Sequence, residues 1–138
     1  NNGIVKKDNN TFLVSGFKNT TLDDIEIISS RAFYNQKNLT KTNYLTFPLT
    51  LKVIGDYAFE GCENLSCGYK DSDRKKFSEM CLEYLGIGAF KECTSLDLYL
   101  PIPKIDIINS EAFYNCDSIK YLSLPSTVTY LALVRKHR

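Results

Sequence analysis

The sequence predicts an α/β repeat protein, a solenoid in which each module adds one strand to a parallel sheet and one short helical or 3₁₀ segment on the opposite side. Three observations predict it. The dipeptide Ala-Phe recurs at 32–33, 58–59, 89–90 and 112–113, at spacings of 26, 31 and 23 residues. Apolar or small residues recur at fixed distances from each alanine: Ile25, Leu51, Leu82 and Ile105 seven before, Ile28, Ile54, Leu85 and Ile108 four before, Leu39, Leu65, Leu96 and Ile119 seven after. Four after stand Gln36, Cys62, Cys93 and Cys116. Each module also ends in a short apolar run closed in three cases by proline, a residue that cannot donate to a strand ladder.

The elements follow in order. Residues 1–21 contain no repeat. Gly3-Ile4-Val5-Lys6-Lys7 and Thr11-Phe12-Leu13-Val14-Ser15 flank Asp8-Asn9-Asn10, whose residues tolerate turn conformations, so a β-hairpin is expected as a cap on the first module. Residues 22–127 hold four repeats. In each, apolar residues three to four apart around Ala-Phe match one helical turn. Strands are expected near 45–47, 65–69, 96–100 and 119–124, all parallel in one sheet. Alanine lets the turn segment sit close to the strand layer, and the phenylalanines fill the space between layers as a buried stack. Residues 70–79 are an insertion that stretches one spacing and maps to a surface loop. A fifth unit starts at Val128 and Leu131, but Arg135-Lys136 stands where Ala-Phe would fall, so 128–138 read as a partial repeat or C-terminal cap.

The last module runs Ile108-Asn109-Ser110-Glu111-Ala112-Phe113-Tyr114-Asn115-Cys116-Asp117-Ser118-Ile119-Lys120-Tyr121-Leu122-Ser123-Leu124-Pro125. It resembles the BspA-like leucine-rich repeat, roughly I-x-x-x-A-F-x-x-C-x-x-L-x-x-I-x-L-P. The resemblance covers about residues 22 to 134. It departs in module one, with Gln36 at the cysteine place and three extra residues before Pro48. The resemblance implies a leucine-rich-repeat solenoid with its sheet on the concave face and a secreted or cell-surface protein that works in adhesion.

Composition excludes several function classes. Formal net charge is +1, with 43% hydrophobic residues, so no global field favours nucleic acid. No segment approaches the ~18–20 apolar residues of a membrane span, so no membrane insertion is expected. The first residues lack the apolar region of a signal peptide. The single histidine, His137, sits in the basic run Arg135-Lys136-His137-Arg138, a tail beyond the repeats. A Cys-His or Ser-His enzyme is therefore not expected, and neither is a cofactor or a zinc site. Carboxylates at Asp23-Asp24 and at Asp71 and Asp73 read as turn residues; Arg74-Lys75-Lys76 opposes a cation beside the latter pair. Cys62, Cys93 and Cys116 share one column and read as small buried hydrophobes. Cys67 and Cys81 could close the insertion by a disulfide, against which the core register of Cys67 argues. Sequons at Asn9, Asn19, Asn38 and Asn64 matter only in a eukaryotic secretory path, and turn chemistry explains Asn38 and Asn64 as well.

What remains is a surface. Residues between the inward apolar positions of the expected strands form two outward columns, Tyr44, Asp97 and Tyr121 in one, Thr46, Tyr99 and Ser123 in the other, with Asn43 and Lys120 beside them. Tyrosine offers large contact area at low entropy cost; it also has high β-propensity, and both readings stand. The expected function is a protein-binding or adhesion module that recognises a protein or other macromolecule on this face, with weak self-association open through the solenoid ends. The alternative is a structural spacer within a longer repeat array.

Overall fold

A computed structural model of the chain describes residues 3–16, 20–39, 47–66, 82–96, 99–101, 105, 107–119 and 121–123. Strands β1 (Ile4–Lys7) and β2 (Asn10–Leu13) form the expected antiparallel hairpin, with Lys7 opposite Asn10. The two residues between them, Asp8 and Asn9, have φ of 51° and 64°. Both left-handed, they make the two-residue turn whose twist suits a hairpin, which Asp and Asn adopt at little cost.

From β2 onward the sheet is parallel. β3 (Ile27–Ile28), β4 (Val53–Ile54), β5 (Tyr84–Leu85) and β7 (Ile107–Ile108) follow one another in the order β1-β2-β3-β4-β5-β7. A second sheet pairs β6 (Tyr99–Pro101) with β8 (Tyr121–Ser123), also parallel. The parallel pairing expected between 96–100 and 119–124 is thus present, but the single sheet expected is not: the described strands divide between two sheets, and beyond the hairpin the larger is built from residues expected on the helical side. Of the other two expected strands, residues 45, 46 and 67–69 lie outside the described residues, while Phe47, Leu65 and Ser66 are in no strand. The insertion 70–79 and the pair Cys67 and Cys81 also lie outside them.

The Ala-Phe segments differ from expectation. No helix occurs among the described residues, and these segments are runs of turns. The backbone explains it. Two columns in every module are left-handed: Arg31, Tyr57, Gly88 and Glu111 just before the alanine, at φ 57–59°, and Asn35, Gly61, Glu92 and Asn115 three after it, at φ 56–77°. A right-handed helix cannot pass through such residues. The amides divide their bonds instead. Ala32, Tyr34 and Gln36 donate three residues back, to Ser29, Arg31 and Phe33, whereas Arg31, Phe33 and Asn35 donate forward to Asp56, Ala58 and Glu60 of the next module. The same forward bonds join Phe59 to Ala89 and Phe90 to Ala112, each at 2.8 Å. The strands bond the other way, Gly55 to Ile28, Gly86 to Ile54 and Asn109 to Leu85. Each module is therefore stitched to its neighbours by two ladders of opposite polarity, which leaves few buried amides to satisfy.

The core lies between these ladders. Phe33, Phe59, Phe90 and Phe113 are wholly buried, and successive rings stack at 4.9, 5.1 and 5.7 Å within 7° of parallel. Truncating a phenylalanine in such a site typically costs roughly 3–5 kcal/mol. The inward columns flank the stack: Ile25, Leu51 and Leu82 on one side, Leu39, Leu65 and Leu96 on the other, all buried. Phe47 meets Phe59 and Phe90 edge-on, at 6.0 and 6.2 Å. At the N-terminal end Gly16 replaces a further aromatic. Its amide donates to Ala32 at 2.7 Å, and a Cβ there would press into the Phe33 ring. The stack ends against bare backbone.

Candidate binding surfaces

The cysteine column is part of this framework. Each thiol donates to the phenylalanine carbonyl of the module before it: Cys62 to Phe33 at 3.0 Å, Cys93 to Phe59 at 3.1 Å and Cys116 to Phe90 at 2.9 Å. The same carbonyls accept an amide within their own module, so both lone pairs are used. Burial pushes the thiols of Cys62 and Cys116 up to about 12. Held protonated, they are poor nucleophiles and poor metal ligands.

The sequence-predicted face centres on β6 and β8. Their register sets Tyr99 opposite Tyr121, Leu100 opposite Leu122 and Pro101 opposite Ser123. This differs from the expected columns, which put Asp97 beside Tyr121 and Tyr99 beside Ser123. Module three has one residue more, not fewer, between its leucine seven after the alanine and the strand. Register follows the apolar set, and Leu100 rather than Leu98 pairs with Leu122. The two tyrosine backbones are thereby brought side by side. Asn43, Tyr44, Thr46, Asp97 and Lys120 lie outside the described residues.

Sequence reasoning missed a second face. On the outer side of the six-stranded sheet, pairing aligns Val5, Phe12, Ile27, Val53, Tyr84 and Ile107 in one column. Val5 and Ile107 are 45% and 50% exposed, and the four between them are partly buried. The signal was present as adjacent apolar pairs, Ile27-Ile28, Val53-Ile54, Tyr84-Leu85 and Ile107-Ile108. A helical turn buries one face and has no use for both members; a strand points them to opposite faces. Along one margin Glu26 and Lys52 form an ion pair at 3.2 Å, with exposed Glu83 next in the row. On the other side Asp56 accepts the Tyr84 hydroxyl at 3.2 Å and the Ile87 amide at 2.9 Å. Burial, and then the charge of Asp56, hold the Tyr84 phenol above the ordinary tyrosine range.

The outer side of the turn runs satisfies itself. Arg31 stacks over Tyr57 at 4.9 Å and Lys91 over Tyr114 at 5.2 Å, while Asn115 donates to Glu92 at 2.9 Å. Partial burial works against the Lys91 charge, but Glu111, 3.5 Å away, and Glu60 outweigh it and hold the amine above the usual lysine range. Asn64 gives its side-chain amide to the Lys37 carbonyl at 2.8 Å, and Leu65 and Ser66 after it are buried, so turn chemistry accounts for that sequon.

Comparison with known proteins agrees with this geometry. A solved structure of a leucine-rich repeat protein from Bacteroides ovatus aligns at a TM-score of 0.55 and 25% identity, over 91% of this chain. The chain spans 33%, about a third, of that protein's length. No curated protein matches. The family model for the BspA type leucine rich repeat region matches residues 5–133 in six copies. With a repeat model covering nearly all of it, the chain belongs to the BspA-type leucine-rich-repeat family.

Proposed function

We propose that this domain is a protein-binding module of a secreted or cell-surface protein, acting in adhesion through the face built on β6 and β8. The observation that supports it is the register that makes Tyr99 and Tyr121 neighbours. Parallel strands place equivalent positions roughly 4.8 Å apart, so the register puts the two tyrosines at neighbouring positions of the sheet. Tyr44, Asn43, Thr46, Asp97, Lys120 and Ser123 would extend it. In this reading the face is the concave one, the hairpin caps the array, and the domain binds without catalysing. The leucine-rich-repeat family commonly mediates protein interaction, which favours binding over the spacer reading.

The test uses immobilised extracellular-matrix and cell-surface proteins as probes. Replacing Tyr99 and Tyr121 together by alanine should weaken capture at least tenfold, since aromatic anchors at an interface centre commonly contribute about 2 kcal/mol or more. The melting temperature should stay nearly unchanged. Deleting residues 71–76 provides the contrast: if that abolishes capture and the double variant binds normally, the insertion is the site and the strand face is not.

A further inference from the structure

The apolar column on the six-stranded sheet belongs to a different face from β6 and β8, and its dimensions and charges say what fits it. Six strands at roughly 4.8 Å spacing make a strip about 24 Å long. It is one side chain wide, about 10 Å. Two such strips facing each other would bury on the order of 500 Å² in total, about half of what a stable interface between copies needs. The strip is therefore the wrong size for a homodimer and the right size for a single segment of another protein. Its rungs also select the kind of segment. Crossing the strands, an extended chain presents side chains on one face every ~6.7 Å, out of step with the rungs. A helix presents anchors at i, i+4 and i+7, one per ~5.4 Å turn, close to the rung spacing. A helix as long as the strip has roughly 16 residues.

Charge sets the direction. Val5 ends the strip on β1, and Lys7, two residues along, shares its face and is exposed. Toward the other end, Glu83 is exposed and Asp56 lies against Tyr84, whereas Glu26 and Lys52 neutralise each other. We propose that the column Val5, Phe12, Ile27, Val53, Tyr84 and Ile107 is a docking surface for an amphipathic helix of a partner protein, its acidic N-terminal turn toward Lys7 and its basic C-terminal turn toward Glu83. That order of charges also suits the helix's own dipole, so such a segment forms readily.

The probe is a fluorescent 16-residue peptide with leucine at i, i+4, i+7, i+11 and i+14, glutamates in its first turn and lysines in its last. Two controls accompany it, one with alternating leucines and one with the charges exchanged end for end. Anisotropy should show binding in the tens of micromolar to the helical peptide, at least tenfold weaker binding of the alternating one, and a several-fold loss for the exchanged one. Ile107→Glu and, separately, Val5→Glu should each weaken binding about tenfold with unchanged circular dichroism and melting temperature; having two variants guards against misfolding of either. The Tyr99/Tyr121 double alanine variant should bind the peptide normally. No binding at 1 mM, equal binding of the alternating peptide, or indifference to both glutamate variants overturns the proposal. So does a dimer in sedimentation that Ile107→Glu abolishes, because the strip is then covered by a second copy.

Discussion

Burial decides the chemistry of single residues here, and the cysteine column shows it most directly. A thiol enclosed by apolar side chains, with its proton given to a carbonyl 3.0 Å away, gains nothing by ionising. Cys62 accordingly keeps its proton to about 12, against an ordinary value of 9.0. The stability consequence has a definite sign. Below pH 9 both folded and unfolded thiols are protonated and the full stability is present; above it the unfolded chain releases a proton that the folded chain retains, so stability falls as pH rises toward 12. Between pH 8 and 10 one such thiol should subtract about 1 kcal/mol. Cys62→Ala lowers stability at every pH, through lost packing and a carbonyl with one partner fewer, but lacks that slope. Urea midpoints at the two pH values should thus draw closer for the pair as pH rises, and parallel midpoints would mean that the thiol is solvated.

Elements were legible to the extent that side-chain patterning governs them. The inward apolar columns read from the Ala-Phe origin are buried in the first three modules, from Ile25 and Ile28 through Leu65 and Leu96, because core packing demands the same size and polarity in each; in the last module Ile108, Cys116 and Ile119 are partly buried. Backbone conformation was less legible. A run of turns and a helical turn both bury residues three to four apart; of the left-handed positions, Asn35, Gly61, Gly88 and Asn115 carry a turn signature, but Arg31, Tyr57, Glu92 and Glu111 carry none, so neither column signals turns in every module. Reading these runs as helical also hid the outward column, since Ile27 and Val53 have no role on a buried helical face. The pattern predicts a strand at Phe47, and nothing in its spacing shows that it reaches across to two later modules. Gly61 separates the two conformations experimentally. In a helix, Gly61→Ala would stabilise by roughly 0.5–1 kcal/mol. At its observed φ of 77°, with a Cβ directed into the Asn35 side chain, it should instead destabilise by about 1–2 kcal/mol or more. Chemical denaturation of the variant reads the sign.

For the whole molecule, stability is shared between neighbours, and what holds each end matters most. A stacked array is a sum of module terms and interfaces, so an end module with one interface opens first. The hairpin is attached at the N-terminal end by two backbone pairs, Phe12 with Ile27 and Leu13 with Ile28, and by one side chain that spans three units. Glu26, on module one, accepts the Thr11 amide of the hairpin at 3.0 Å and pairs with Lys52 of module two at 3.2 Å. The Thr11 amide first, and Lys52 after it, hold the Glu26 carboxyl below the usual carboxylate range. A depressed value in the folded state means that its contribution is present above the ordinary value of 4.5 and disappears as pH falls through the folded one. Acid should therefore loosen the hairpin before it melts the phenylalanine stack. Hydrogen exchange followed by NMR from pH 6 to pH 3, corrected for intrinsic rates, should show protection at Thr11 and Phe12 falling while Phe59 and Phe90 stay protected. Glu26→Gln keeps an acceptor but no charge; in that variant the hairpin's protection should be lower at pH 6 and nearly flat with pH. If Thr11 protection in the natural chain is itself flat, or if the stack loses protection together with the hairpin, Glu26 is not what fastens the end of the array.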